Sequence, residues 1–95
     1  MVFKSGREVV EDRDARYKGG YNSRATVSQK MKEVVRESAY WGELSYVEKE
    51  AVDEIIRKLA RIVGGEQDRY DSWVDVAGYS ELALREKLKD LNIEE

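Results

Sequence analysis

The stretch KLARIVGGEQDRYDSWVDVAGYSELA, from Lys58 to Ala83, decides the architecture. It begins in the last turns of one helical pattern and is cut by Gly64-Gly65. Glycine takes the left-handed conformation that closes a helix, so the pair reads as a stop. A polar loop of five residues follows, Glu66 to Tyr70, and a second helical pattern starts at Asp71. Two helices joined by so short a loop are the unit of a helical bundle.

Working outward, the helix ahead of the break starts at Ser45-Tyr46-Val47-Glu48, a capping box in which serine and glutamate each satisfy a free backbone N–H. Its apolar face is Val52, Ile55, Ile56, Leu59, Ile62 and Val63. Upstream, Val27, Met31, Val34, Val35, Ser38 and Trp41 fall in one arc at about 100° per residue. That helix starts after Asn22-Ser23, or at Thr26 with Gln29 as reciprocal cap, and Gly42 ends it. A first, short helix starts at Ser5-Gly6-Arg7-Glu8, carries Phe3, Val10 and Tyr17 on its stripe, and stops at Gly19-Gly20. Downstream of the break, Trp73, Val76, Ala77, Ser80, Leu84, Leu88 and Leu91 share one side. The expected fold is all-α: a compact four-helix bundle in a single domain, with helices at about 6–17, 24–41, 46–63 and 71–91.

Composition narrows the chemistry. A chain of 95 residues is near the lower end of what folds alone, which favours homo-oligomerisation through apolar residues such as Tyr40, Leu44, Tyr46 or Leu82. With 17 Lys+Arg against 20 Asp+Glu the net charge is -3, which argues against a dedicated nucleic-acid binder. No apolar run approaches the ~18 residues of a membrane span, and no signal peptide is legible, so the expected compartment is the cytoplasm. Cysteine and histidine are absent, which removes thiolate chemistry, Cys/His zinc sites and the commonest general base. Chemistry is left to carboxylates, lysine, tyrosine or a hard metal ion on oxygen ligands.

Two helices carry charged faces that a core does not explain. Glu54, Lys58 and Arg61 share a flank of the third helix, and Glu54 before Lys58 is the favoured order for a solvated ion-pair ladder. On the fourth helix Asp71, Asp75, Gly78 and Leu82 lie nearly opposite the apolar side, with Tyr79 adjacent. Two carboxylates four residues apart repel on a bare helix. The helix dipole offsets part of that, and Asp71 doubles as a candidate N-cap. Otherwise the pair faces Lys58 and Arg61, or a divalent metal, or both. Gly78 serves either close helix packing or close approach of a ligand. Glu33 with Glu37, and Glu50 with Asp53, read as solvated surface. Arg13, Arg16 and the Tyr17-Lys18-Gly19-Gly20-Tyr21 turn offer groups that bind phosphate and stack a base, and are equally ordinary helix-end residues.

Lys58-x-x-Arg61, a loop, then Asp71-x-Trp73-x-Asp75-x-Ala77-Gly78-Tyr79 resembles a family of small proteins of unknown function found mainly in phages. Its members look like K-x-x-R-I, a loop, D-x-W-x-D-x-A-G-Y, with an arginine shortly before a Tyr-Gly near the start. Arg13 and Tyr17 match that half, with Lys18 intervening before Gly19. The resemblance covers Asp12 to Leu84, and for a viral protein implies the host cytoplasm. More distantly, the last helix is similar to that of all-α nucleotide pyrophosphohydrolases of the MazG and dimeric dUTPase type. That similarity implies magnesium and a nucleoside triphosphate substrate, but the E-E-x-x-E helix of those enzymes is missing here.

Three readings follow. In the first, the protein binds a nucleotide or nucleotide-derived anion: Lys58, Arg61 and Arg13 meet phosphates, and Tyr17, Trp73 or Tyr79 stacks. In the second, it is a structural or assembly protein in which Lys58, Arg61, Asp71 and Asp75 join the last two helices. In the third, Asp71 and Asp75 hold magnesium in a nucleotide pyrophosphohydrolase.

Overall fold

The computed structural model describes residues 5–8, 11 and 20–93. They are all-helical, with no strand among the described residues. Helix α1 is Gly20–Glu37, a 3-10 turn covers Trp41–Glu43, α2 is Tyr46–Val63 and α3 is Tyr70–Asp90. Residues 6–8 and 11 are also helical, and the Glu8 N–H donates to Ser5 Oγ at 3.2 Å, half of the expected capping box. The rest of the expected first helix, with Arg13, Tyr17 and the stripe residues Phe3 and Val10, lies outside the described residues.

Helix α2 matches its expected bounds, because its signals are local and strong. Ser45 Oγ accepts from the Glu48 N–H at 3.1 Å, and Glu48 Oε1 accepts from the Ser45 N–H at 3.0 Å. Gly64 closes it and Gly65 has φ 93°, the left-handed turn that sends the chain back.

The other boundaries need correction. Helix α1 begins and ends four residues earlier than the expected 24–41, and Thr26 is not its cap. Thr26 Oγ1 instead donates to the Asn22 carbonyl at 2.9 Å, inside the helix. At the other end, Ser38 Oγ donates to the Val34 carbonyl at 3.1 Å. Such a hydroxyl competes for helix carbonyls, and the chain leaves through the 3-10 turn before Gly42 can act as a stop. Asp71 is not the N-cap of α3. Asp68 Oδ1 accepts from the Tyr70 N–H at 3.0 Å, so an aspartate turn sets the start and Asp71 falls in the first turn.

Helix α2 is the central element. Both α1 and α3 pack on it, α3 the more extensively. Ion pairs set the directions. Arg36, late in α1, meets Asp53 at 3.3 Å. Lys58, late in α2, meets Asp75 early in α3 at 2.9 Å. Glu48, early in α2, meets Lys87 late in α3 at 3.0 Å. Each neighbour therefore runs antiparallel to α2. Asp53 is thus a helix-joining residue, whereas Glu33, Glu37 and Glu50 are exposed as expected.

The apolar core is sparse. Among the described residues only Ala51, Ile56 and Ala60 are buried hydrophobics, all on α2. The expected apolar side of the fourth helix is the main departure: Val76 and Leu88 are half-buried, and its other five residues are exposed. On the side of α3 joined to α2 the buried or half-buried positions follow the series Ser72, Val76, Tyr79, Ala83 and Glu86; Glu81 and Leu88 are half-buried elsewhere on the helix. The expected side, centred on Trp73, Ala77 and Leu84, lies about 110° further round the axis. There Trp73 is 51 % and Leu84 49 % exposed. In this orientation Lys58–Asp75 and Glu48–Lys87 join the helix to α2, contacts that periodicity cannot see.

Candidate functional site

Successive turns of α2 present Glu54, Arg57, Lys58 and Arg61 on one strip about 100° wide. Asp75 and Tyr79 of α3 reach that strip from the other side. The centre of the seam is Lys58, 8 % exposed, with its ammonium 2.9 Å from Asp75 Oδ2. An enclosed ammonium requires a nearby opposite charge, and Asp75 supplies it. The Lys58 part of the expected solvated ladder is therefore corrected. Glu54 does not spend its carboxylate on Lys58; its ion-pair partner is Arg57, one turn along the same helix.

One turn further from the α2–α3 loop lies a three-membered group. The Arg57 guanidinium holds the Glu54 carboxyl below its ordinary range, and a hydrogen bond with Tyr79 adds to this. The same carboxylate raises the Tyr79 phenol and the Arg57 guanidinium. Nearer the loop, Ser72 Oγ donates to Glu66 Oε2 at 2.7 Å, with both residues buried. The Glu66 N–H donates to the Arg61 carbonyl at 3.3 Å, which tucks the loop under the end of α2. Helix α1 closes this end. A Cβ on Gly64 would lie 2.7 Å from Arg24 Cγ and 2.7 Å from the Ala60 carbonyl oxygen, so only glycine lets Arg24 cross there. The Arg24 guanidinium lies 5.7 Å from the Tyr21 ring centroid.

Beside the seam, α3 carries a shallow open depression. Val74, Gly78 and Leu82 form its floor, and Asp75, Tyr79, Glu81 and Arg85 its polar edge. Gly78 has open space where a side chain would be, with no atom within 4 Å of a Cβ built on it. Close helix packing, one of the two reasons offered for this glycine, does not occur among the described residues.

The structure thus brings Lys58, Arg61, Asp75 and Tyr79 to one seam. Trp73 does not join them, because two residues along a helix put it about 160° round the axis from Asp75. Asp71 is exposed and forms no ion pair among the described residues. No group of three or more carboxylates suited to a metal ion gathers among the described residues, and the Lys58 ammonium contacts one oxygen of Asp75. Arg13 and Tyr17 lie outside the described residues. Sequence reasoning missed Arg57, Glu66 and Ser72. Arg57 had a local signal, its spacing of three from Glu54. The Glu66–Ser72 contact had none, because it depends on the path of the loop after Gly65.

Comparison with protein-family models, with curated proteins and with solved structures gives no match in any of the three. Among the described residues, no helix is long and apolar enough to cross a membrane.

Proposed function

We propose that this chain is a small protein of the phage type that binds a nucleotide or nucleotide-derived anion at the α2–α3 seam. The observation that carries the reading is Gly78. Glycine inside a helix costs about 1 kcal/mol against alanine, and no neighbour among the described residues requires it. Its absent side chain leaves a flat apolar floor between Val74 and Leu82, directly beside the cationic strip. A planar base fits that floor, and Arg57, Lys58 and Arg61 supply charge for phosphate at the adjacent seam. Asp75 then positions the Lys58 ammonium.

The first test is to incubate the protein with nucleotides, cyclic dinucleotides and NAD derivatives in the presence of magnesium. Mass spectrometry of the wash and of the denatured protein follows. An intact compound released from the protein identifies the ligand class. A chemically changed compound in the wash points to the magnesium-dependent hydrolase instead. Gly78→Ala sharpens the result. It is expected to stabilise the fold by about 1 kcal/mol in urea denaturation and to weaken retention of the compound at least tenfold. Undiminished retention in this variant overturns the site.

One observation favours the structural reading as second choice. The Lys58–Asp75 pair is closed within the chain, as a network joining two helices requires. A panel that returns untouched and unbound selects that reading.

A further inference from the structure

The side of α3 turned away from both α2 and the Gly78 depression carries an apolar stripe. Tyr70, Ala77, Leu84 and Leu91 recur at every seventh residue; Trp73 and Ser80 fill the first two alternate positions, and at the third Lys87 turns to Glu48 of α2, with Leu88 next to it. A seven-residue repeat is the seam of a helix pair. No described residue covers most of this seam: Tyr70 is 73 %, Trp73 51 % and Leu91 66 % exposed, while Leu88 beside it is half-buried. With a core of only three buried hydrophobic residues among those described, the fold has unmet need for apolar burial.

The order of residues along the stripe indicates what covers it. Place a two-fold axis between Ser80 and Glu81 and run a second α3 antiparallel. Tyr70 then meets Leu91, Trp73 meets Leu88, and Ala77 meets Leu84, each pair occurring twice. Large residues meet large ones at the two ends, and the small Ala77 receives the branched Leu84. The charges on the flank agree. Arg69 lies at the start and Asp90 at the end of the same edge, and antiparallel pairing brings opposite signs together. Among the described residues Asp90 has only a long 3.5 Å contact with Lys87. Glu81, next to the axis, is answered by Arg85 at 3.1 Å in its own helix. In parallel pairing, by contrast, each residue meets itself, so Trp73 faces Trp73, Ala77 leaves a gap, and Arg69 meets Arg69.

We infer that a second copy of this chain occupies the stripe, forming a two-fold symmetric homodimer through antiparallel α3 helices, about 30 Å in contact length. The dimer leaves the Gly78 depression on the outer side of each α3, so this inference stands independently of the ligand reading.

The chain has no cysteine, which allows a direct test. Ser80→Cys puts the lone thiol beside the axis, and mild oxidation is expected to yield a disulfide-linked dimer. Leu82→Cys, on the depression side, is expected to remain uncrosslinked. By light scattering on a sizing column at about 100 µM, the unmodified protein is expected at twice its chain mass and Leu84→Asp at the chain mass with unchanged helical circular dichroism. Should Leu84→Asp unfold, the charge swap decides: Arg69→Glu or Asp90→Arg alone raises the dimer Kd several-fold, and the double variant restores it. A monomer at this concentration, crosslinking at Leu82→Cys in place of Ser80→Cys, or a charge swap without rescue overturns the inference.

Discussion

Lys58 is where the chemistry of single residues is most exposed to test. Its side chain is 10 % exposed and depends on an Asp75 carboxylate that is itself 47 % exposed. Asp75→Asn removes the counter-charge and leaves an enclosed ammonium. Full burial of both partners would place the cost at about 3–5 kcal/mol, and solvent around Asp75 lowers the expectation to about 1–3 kcal/mol. Lys58→Met removes the charge and keeps the length of the side chain, so it is expected to cost less than Asp75→Asn. Urea denaturation of the two variants checks the order, and a neutral Asp75→Asn counts against the pair as a structural contact. The partnership of Lys58 with that face of α3 was legible in the sequence as one of several alternatives. What was not legible is that Lys58 turns inward while Asp71, of the same residue type and one turn from Asp75, stays in solvent. Spacing places residues on a face, and only the packing of α2 against α3 says which edge of that face closes.

Among the elements, α2 was read to the residue and α1 was displaced by a turn. The difference lies in the reach of the signals. The Ser45–Glu48 box acts within four residues and is present with both bonds. It is expected that Ser45→Ala costs about 1 kcal/mol and speeds hydrogen exchange at the Glu48 amide, which then lacks its acceptor. An unchanged exchange rate there would mean that the cap is not maintained in solution. For α1, by contrast, Asn22-Ser23 and Thr26-Gln29 offered two competing starts, and the helix uses neither. Thr26 and Ser38 both turn their hydroxyls back onto helix carbonyls, and residues of this kind mark caps and interiors alike.

At the scale of the molecule, ion pairs and caps tie together helices that share little apolar core. Glu48 receives the Ser45 N–H and the Lys87 ammonium at once, so one carboxylate starts α2 and clamps the end of α3. The Ser45 N–H and Lys87 hold the Glu48 carboxyl below its ordinary range, and Arg57 does the same for Glu54. A carboxyl lowered by folding contributes stability that is complete above its unfolded pKa and is lost as pH falls through the folded one. The expected onset of loss is therefore about pH 4.3, with further decline below. Lys87 and Tyr79 are raised by their partners Glu48 and Glu54, so their contribution is present below about pH 10 and is lost above it. Urea midpoints measured from pH 3 to pH 11 should form a plateau that falls at both ends. A midpoint that does not change between pH 7 and pH 3 would mean that these carboxylates are not held in the folded state.

Local order came from the sequence alone: helices rather than strands, the Gly64-Gly65 turn, the capped start of α2, and the charged strip of Glu54, Lys58 and Arg61. These depend on periodicity and on contacts within about four residues, which the chain carries wherever it goes. The tertiary structure decided how α3 is rotated. Its apolar side had been expected to face the core, yet of that side Val76 alone joins the series turned to α2, which otherwise consists of Ser72, Tyr79, Ala83 and Glu86. Lys58–Asp75 and Glu48–Lys87 join residues 17 and 39 positions apart, and they form with the helix about 110° from the angle that hydrophobicity alone predicts. That rotation places the Gly78 depression beside the cationic strip and leaves the Trp73 stripe uncovered.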